Sequence, residues 1–177
     1  MIAAIRWIIC LPVSFLSTVA AWIVSPLCPL FARDYSLRGT WLWWATTPNT
    51  DLRGDPDHRE RWHDKSSYLQ QVTWVLRNPG VNFQREVLGV HVAFDDLIVT
   101  KGDPEVRDFG GHYSQFIKRD GVTTAWMFFG IWPYPFAQGK ALRVLLGWKT
   151  WDAHVKDPLQ ITCRITLWKS FVPKEKK

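Results

Sequence analysis

Charge is absent from one end of this sequence, and acid is scarce at the other. Trp7 to Ala32, WIICLPVSFLSTVAAWIVSPLCPLFA, holds no charged residue in 26 positions. Residues 122–177 hold three acidic residues against nine basic ones. Cysteine is limited to Cys10, Cys28 and Cys163, an odd number that supplies no disulfide framework and fits reduced thiols acting as small hydrophobes. No internal repeat and no Ser/Gly linker divides the 177 residues, so the chain reads as one domain with an appended segment. Also missing are a phosphate-binding P-loop, a dinucleotide fingerprint, an H-E-x-x-H pair, an EF-hand loop and any paired Cys/His zinc spacing. Asp108 to Gly111 shares letters with the kinase metal-binding triplet, but the glycine-rich loop, lysine strand and HRD loop that would give it meaning are lacking. Location and architecture remain readable where local catalytic motifs are not.

The charge-free stretch exceeds the roughly 20 residues that cross a bilayer as a helix. Pro12 is tolerable near its start, and Pro26 and Pro29 end it, which places a helix over about residues 5–25. A retained membrane anchor is the leading reading. A cleaved signal peptide, with Arg6 as a thin basic start and Thr18-Val19-Ala20 or Val19-Ala20-Ala21 as small cleavage residues, is the second. A buried or interfacial hydrophobic helix is the third. Tryptophan is abundant, at 12 residues, and its large apolar face with one N–H suits cores, interfaces and membrane boundaries. Trp41, Trp43 and Trp44 crowd together in GTWLWWATTPNTDLRGDP before an abruptly polar loop, and a membrane-interface role is expected for them.

Ser66 or Asp64 is placed to cap a helix over Lys65 to Arg77, with Tyr68, Val72, Val75 and Leu76 on its apolar stripe. The Asn-Pro-Gly of RNPGVNF stops it. Beyond about residue 90 the period shifts to two. DLIVT, HYSQFIKR, VTTAWMFFGIW, ALRVLLGWKTW and ITCRITLWKSF read as strands, and the Asp-Gly of RDGV predicts a type I′ hairpin. The uncharged run 122–139 is long enough to raise a second membrane span, but Pro133, Pro135 and the hairpin signal argue for strand. In the last strand Ile161, Cys163, Ile165 and Leu167 alternate with Thr162, Arg164, Thr166 and Trp168, which predicts a meander with one apolar face.

The expected fold is therefore α+β: an N-terminal apolar, anchor-like helix, one or two short helices, and a C-terminal antiparallel β-meander. The expected divisions are 1–32 (anchor), 33–65 (aromatic segment and polar loop) and 66–177 (α+β domain).

Two constellations invite a chemical reading. Asp55, Asp57, His58 and His63 offer metal-ligating types in one stretch, as a metal-dependent hydrolase would need. Their spacing fits no known site, and interleaved arginines can neutralise the acids, so no metal and no cofactor are expected. Arg143, Lys149, Arg164 and Lys169, with Lys156 nearby, lie among tryptophans in the basic last third. That mixture suits an anionic partner: membrane lipid headgroups first, nucleic acid in a virion component second. Cys163 with His91, His112 or His154 is a weak nucleophile–base candidate, because a cysteine on an apolar strand face is inert packing.

WLWWATTPNTDLRGDP (41–56), VTWVLRNPGVNF (72–83) and GWKTW (147–151) together resemble a family of uncharacterised proteins of tailed bacteriophages and prophages. The resemblance extends over about residues 1–151 and implies a phage origin and a small membrane-associated or accessory role, without an activity or catalytic residue. A non-enzymatic, membrane-associated protein facing the cytoplasm of an infected bacterium is the resulting expectation, with an exported or virion-associated protein as the alternative.

Overall fold

The computed structural model describes residues 2–48, 51–152 and 157–173, and it divides the chain into two compact units. The first combines Met1–Leu11 with Gly89–Lys177, and the second is Pro12–Leu88. The boundaries expected at 32 and 65 both fall inside the second unit. The apolar helix α1 (Ile2–Val24) contributes its first turns to one unit and the rest to the other.

In the first unit, β1 (Leu97–Gly102), β2 (Gly111–Arg119), β3 (Val122–Pro133), β4 (Lys140–Trp148) and β5 (Ile161–Ser170) form an antiparallel sheet in chain order. All five were legible from their alternation, and the run 122–139 is largely strand. The β2–β3 turn has Asp120 at φ +49° and Gly121 at φ +76°, the two positive angles a type I′ turn requires.

Directly paired residues share a face, so Tyr113, Phe129, Leu145 and Arg164 lie in one row across β2 to β5. On that face Tyr113, Met127, Phe129, Ile131, Ala141 and Leu145 are buried. Val106 of the short helix α6 (Val106–Phe109), Trp151 and Phe171 close over them. The 3-10 turn Thr150–Asp152 is fixed by the Thr150 hydroxyl, which donates to Gln115 Oε1 at 2.8 Å.

The opposite face carries Trp126, Phe128, Leu142, Val144 and Leu146 by alternation. Here the ring edge of Trp7 meets Trp126 at 5.3 Å, and Trp7 Nε1 donates to the Thr162 carbonyl at 3.1 Å. The stripe Ile161, Cys163, Ile165, Leu167 belongs to this face, and the structure corrects what the alternation alone suggests. Ile161 is buried, but Ile165 and Leu167 are each 61% exposed and Cys163 is exposed as well. The sealed core instead lies on the other face, where α6 and the 3-10 turn cover it.

Asp96, just before β1, anchors the sheet's first edge. Its fully buried carboxylate accepts from Arg119 Nε and Nη2, both at 2.8 Å, and from the Ala93 amide at 2.8 Å. The Arg119 hydrogen bonds hold its pKa below the ordinary carboxylate value of 3.8, against an opposing push from burial. A folded-state value below the unfolded one adds stability above the unfolded value, and that stability is lost as pH falls through the folded value. Asp96→Asn is therefore expected to cost about 2 kcal/mol at neutral pH. It should also flatten the acid limb below about pH 4; denaturant melts at pH 7 and pH 3 check both, and an unchanged pH 7 midpoint contradicts the assignment.

The second unit is helical. Past Val24 come α2 (Cys28–Phe31), a 3-10 turn at Trp43–Ala45, α3 (Pro56–Arg61), α4 (Ser67–Arg77) and α5 (Val81–Glu86). Ala21, Cys28, Leu37, Leu42, Ala45, Leu52, Trp74 and Val75 form its core, and burial pushes the Cys28 thiol up to about 11. Ser66 caps α4 through the Leu69 amide at 3.4 Å. The buried stripe of α4 is Gln71, Trp74 and Val75, rotated from the expected one. Tyr68 and Leu76 are each 42% exposed, the former because its hydroxyl reaches out to the Pro26 carbonyl at 2.9 Å. Asn78 ends α4, and Gly80 at φ +68° starts α5 within the same RNPGVNF stretch.

Candidate functional site

The polar loop is a structural corner. Asp55 caps α3, a helix the sequence reading missed, by accepting from the His58 amide at 2.7 Å, and its carboxylate also pairs with Arg77 at 3.3 Å. His58 is 1% exposed; its Nε2 lies 2.9 Å from the Gln70 carbonyl and its ring meets Trp74 edge-on at 5.1 Å. Gly54 at φ +79° makes room for this stack, since a Cβ there would lie 2.7 Å from Trp74 Cε3 and 2.8 Å from His58 Cδ2. Asp57 is exposed, and His63 Nδ1 turns to the Glu60 carbonyl at 2.7 Å. The structure thus directs Asp55, His58 and His63 to separate partners and leaves Asp57 exposed. Among the described residues no three His, Cys, Asp or Glu side chains are grouped to hold a metal ion. His58→Ala is expected to destabilise the second unit by about 3 kcal/mol, as truncating a packed aromatic does, and equally with or without chelator. A melting shift that depends on added metal would contradict this role.

The three tryptophans of the knot have different surroundings. Trp41 is 58% exposed, edge-on to Phe31 at 5.7 Å. Trp44 packs against the core of the helical unit. Trp43 lines a cleft of about 600 Å³ with Tyr35, Arg38, Thr46, Asn82 and Glu86. Asn82 fixes the wall by donating to the Trp43 carbonyl at 2.8 Å, and Asp51, also on the cleft, spends its charge on Arg53 at 2.5 Å.

The basic sheet residues are partly gathered. Arg143 and Arg164 lie on the α6-covered face, and Lys169 pairs with Ala141 of the same face. Lys149 is drawn off to Gln160 Oε1 at 2.6 Å, and Lys156 and His154 lie outside the described residues. The addition that sequence reasoning missed is Arg107, on a four-residue helix with no periodic signal. Its guanidinium sits 4.0 Å from the Trp151 ring centre and 5.7 Å from that of Phe129, and Arg143 stands 5.4 Å from Phe129. Burial, then the charges of Arg164 and Arg107, push Arg143's ionisation down.

The third feature is α1 itself. Positions 3, 7, 10, 14, 17, 21 and 24 are buried or half-buried, a spacing of four and three that marks one helix face. Those residues are mostly small: Ala3, Cys10, Ser14, Ser17 and Ala21, with Trp7 and Val24. The opposite face exposes Ile2, Ile5, Ile8, Ile9, Val13, Phe15, Leu16, Trp22 and Ile23. A water-soluble amphipathic helix does the reverse, turning large apolar residues inward.

The model of a family of unknown function, DUF7338, matches residues 1–173. The chain belongs to this family. The DUF7338 match runs from α1 through β5, and no curated protein and no solved structure matches the chain.

Proposed function

We propose that this DUF7338 member is a non-enzymatic, membrane-associated accessory protein, phage-encoded as its Trp-rich motifs suggest, whose α1 lies in the plane of the bilayer interface. The observation that carries this reading is the inverted helix: small residues pack against protein while nine large apolar side chains face outward. Small residues at helix contacts and large aliphatics toward the surroundings are the arrangement of helices solvated by lipid. An in-plane position fits better than a spanning one. Arg6 and Trp7, near one end of α1, bond to the Gly89 and Thr162 carbonyls of the sheet unit, and Ala21 near the other end sits in the core of the helical unit. Carrying either unit's charged residues to hydrocarbon depth would cost several kcal/mol per group, whereas a helix lying in the interface leaves them in water. Leu27, Leu30, Phe31 and Trp41 are exposed beside the C-terminal end of α1, which supports an interfacial role for Trp41 more than for Trp43 or Trp44. Flotation of the purified full chain with phosphatidylcholine vesicles tests the reading. Recovery with lipid is expected; full recovery in the soluble fraction overturns it.

A further inference from the structure

We propose that Arg107, Arg143 and Arg164 form a binding site for a phosphoryl group, held on the α6-covered face of the sheet. Arg107 and Arg143 share the Phe129 ring, at 5.7 and 5.4 Å from its centre, and Arg164 stands on β5 opposite Leu145, the next residue of Arg143's face; among the described residues none of the three forms an ion pair. Other arginines behave differently: Arg53, Arg77 and Arg119 each pair with an aspartate. An uncompensated cluster repels itself in the folded state, and an anion that bridges its members removes that repulsion.

The way the cations are held leaves their donors to a ligand. Arg107 lies over Trp151 and Arg143 over Phe129. These cation–π contacts do not consume N–H donors, which stay available to an acceptor. The Arg143 Nε donor is buried and has no partner among the described residues, so part of its hydrogen-bonding capacity is open to a ligand. A phosphate monoester dianion offsets more of the cluster's charge than a carboxylate does, and its several oxygens suit the forked donors of three guanidiniums better than a carboxylate's two. Free phosphate compounds and phosphomonoester lipid headgroups share this chemistry.

The site does not depend on α1 meeting a membrane, so the two ideas fail separately. The test uses the full chain in non-ionic detergent, titrated with inorganic phosphate against sodium chloride and acetate at constant ionic strength. Saturable thermal stabilisation by phosphate, with shifts of the arginine Nε–H resonances, is expected. Arg164→Gln, on the exposed edge strand, should weaken it at least about tenfold, while Lys149→Gln should leave it within about twofold. If Arg143→Gln fails to fold, Arg107→Gln and Arg164→Gln still decide the matter. Vesicles of phosphatidylcholine with and without phosphatidic acid separate the sources. An Arg164-dependent gain of at least about tenfold from phosphatidic acid identifies a headgroup, and a phosphate response without that gain identifies a free phosphoryl compound. No response beyond chloride, or one that survives both Arg107→Gln and Arg164→Gln, overturns the proposal. Arginine-dependent retention on DNA without any phosphate response also overturns it, in favour of a polynucleotide backbone.

Discussion

Gly147→Ala is expected to cost the sheet about 4 kcal/mol, the sum of a backbone strain of about 1–2 kcal/mol and an overpacking cost of about 2–3 kcal/mol. Gly147 lies inside β4, paired with Met127 on one side and Thr162 on the other, and its φ is +98°. A Cβ there would run into the Trp126 carbonyl oxygen and lie 3.1 Å from Met127 Cα. Both neighbours are backbone, so no side chain can rotate away and the β3–β4 ladder itself must move. Gly121→Ala is the matched control: φ is +76°, but a Cβ there meets nothing within 4 Å. It carries the backbone cost alone, about 1–2 kcal/mol. In a protein of this size the difference amounts to roughly 5–10 °C in melting temperature. Equal melting of the two variants would show that β4 tolerates the added methyl and that the close approach is not structural.

That glycine illustrates how the chain is readable locally and opaque beyond. Five strands followed from period-two alternation, and the Asp120-Gly121 hairpin followed from turn chemistry that needs only two residues. Which sheet face is sealed did not follow, because both faces carry apolar residues. The decision rests with Val106, Trp151 and Phe171, which arrive from elements remote in sequence. Gly147 keeps regular register with Thr162 while its φ is positive, so no alternation announces it. The helix α3 was hidden by PDHRER, which has no apolar period, although Asp55 followed by Pro56 is a cap-plus-first-turn signal that would have located it.

The candidate sites divide in the same manner. Of the loop's own arginines Arg53 takes the charge of Asp51, whereas Asp55 pairs with Arg77 at the end of α4, outside the loop. His58 as the buried keystone against Trp74 was not legible, because Gly54 and Trp74 lie 20 residues apart in the chain. Of the basic residues, Arg143 and Arg164 could be placed on neighbouring strands from pattern alone. Arg107 could not, since its position over Trp151 depends on a short helix and a 3-10 turn closing on the same strand face. The knot Trp41, Trp43, Trp44 looks uniform in sequence, yet its members are exposed, cleft-lining and core-packed in turn. Local aromatic density measures apolar area and carries no information about which neighbour will cover it.

Ile8→Lys with Phe15→Lys is expected to abolish vesicle binding while leaving the fold intact. Ile8 is 61% and Phe15 64% exposed, so their exchange for a good helix former should change stability by no more than about 0.5 kcal/mol each. Withdrawing each from the acyl boundary forfeits about 1.5–3 kcal/mol. The pair therefore lowers partitioning by roughly 10²- to 10⁴-fold. The covered face should show the reverse. Ser14 and Ala21 are 7% and 0% exposed, and Ser14→Leu or Ala21→Leu is expected to destabilise by about 1–3 kcal/mol through overpacking without reducing lipid affinity in the molecules that remain folded. Flotation combined with circular-dichroism melts reads both quantities on one set of variants. A spanning anchor, an in-plane helix and a protein-covered ridge then separate. Wild-type chain that resists extraction by alkaline carbonate spans the bilayer, and chain released by it lies at the surface. Chain that stays in water as a dimer, and that Ile8→Lys with Phe15→Lys splits into monomers, has its ridge covered by a second copy. That last outcome would remove the membrane from the account, because the same nine side chains would then be buried against protein.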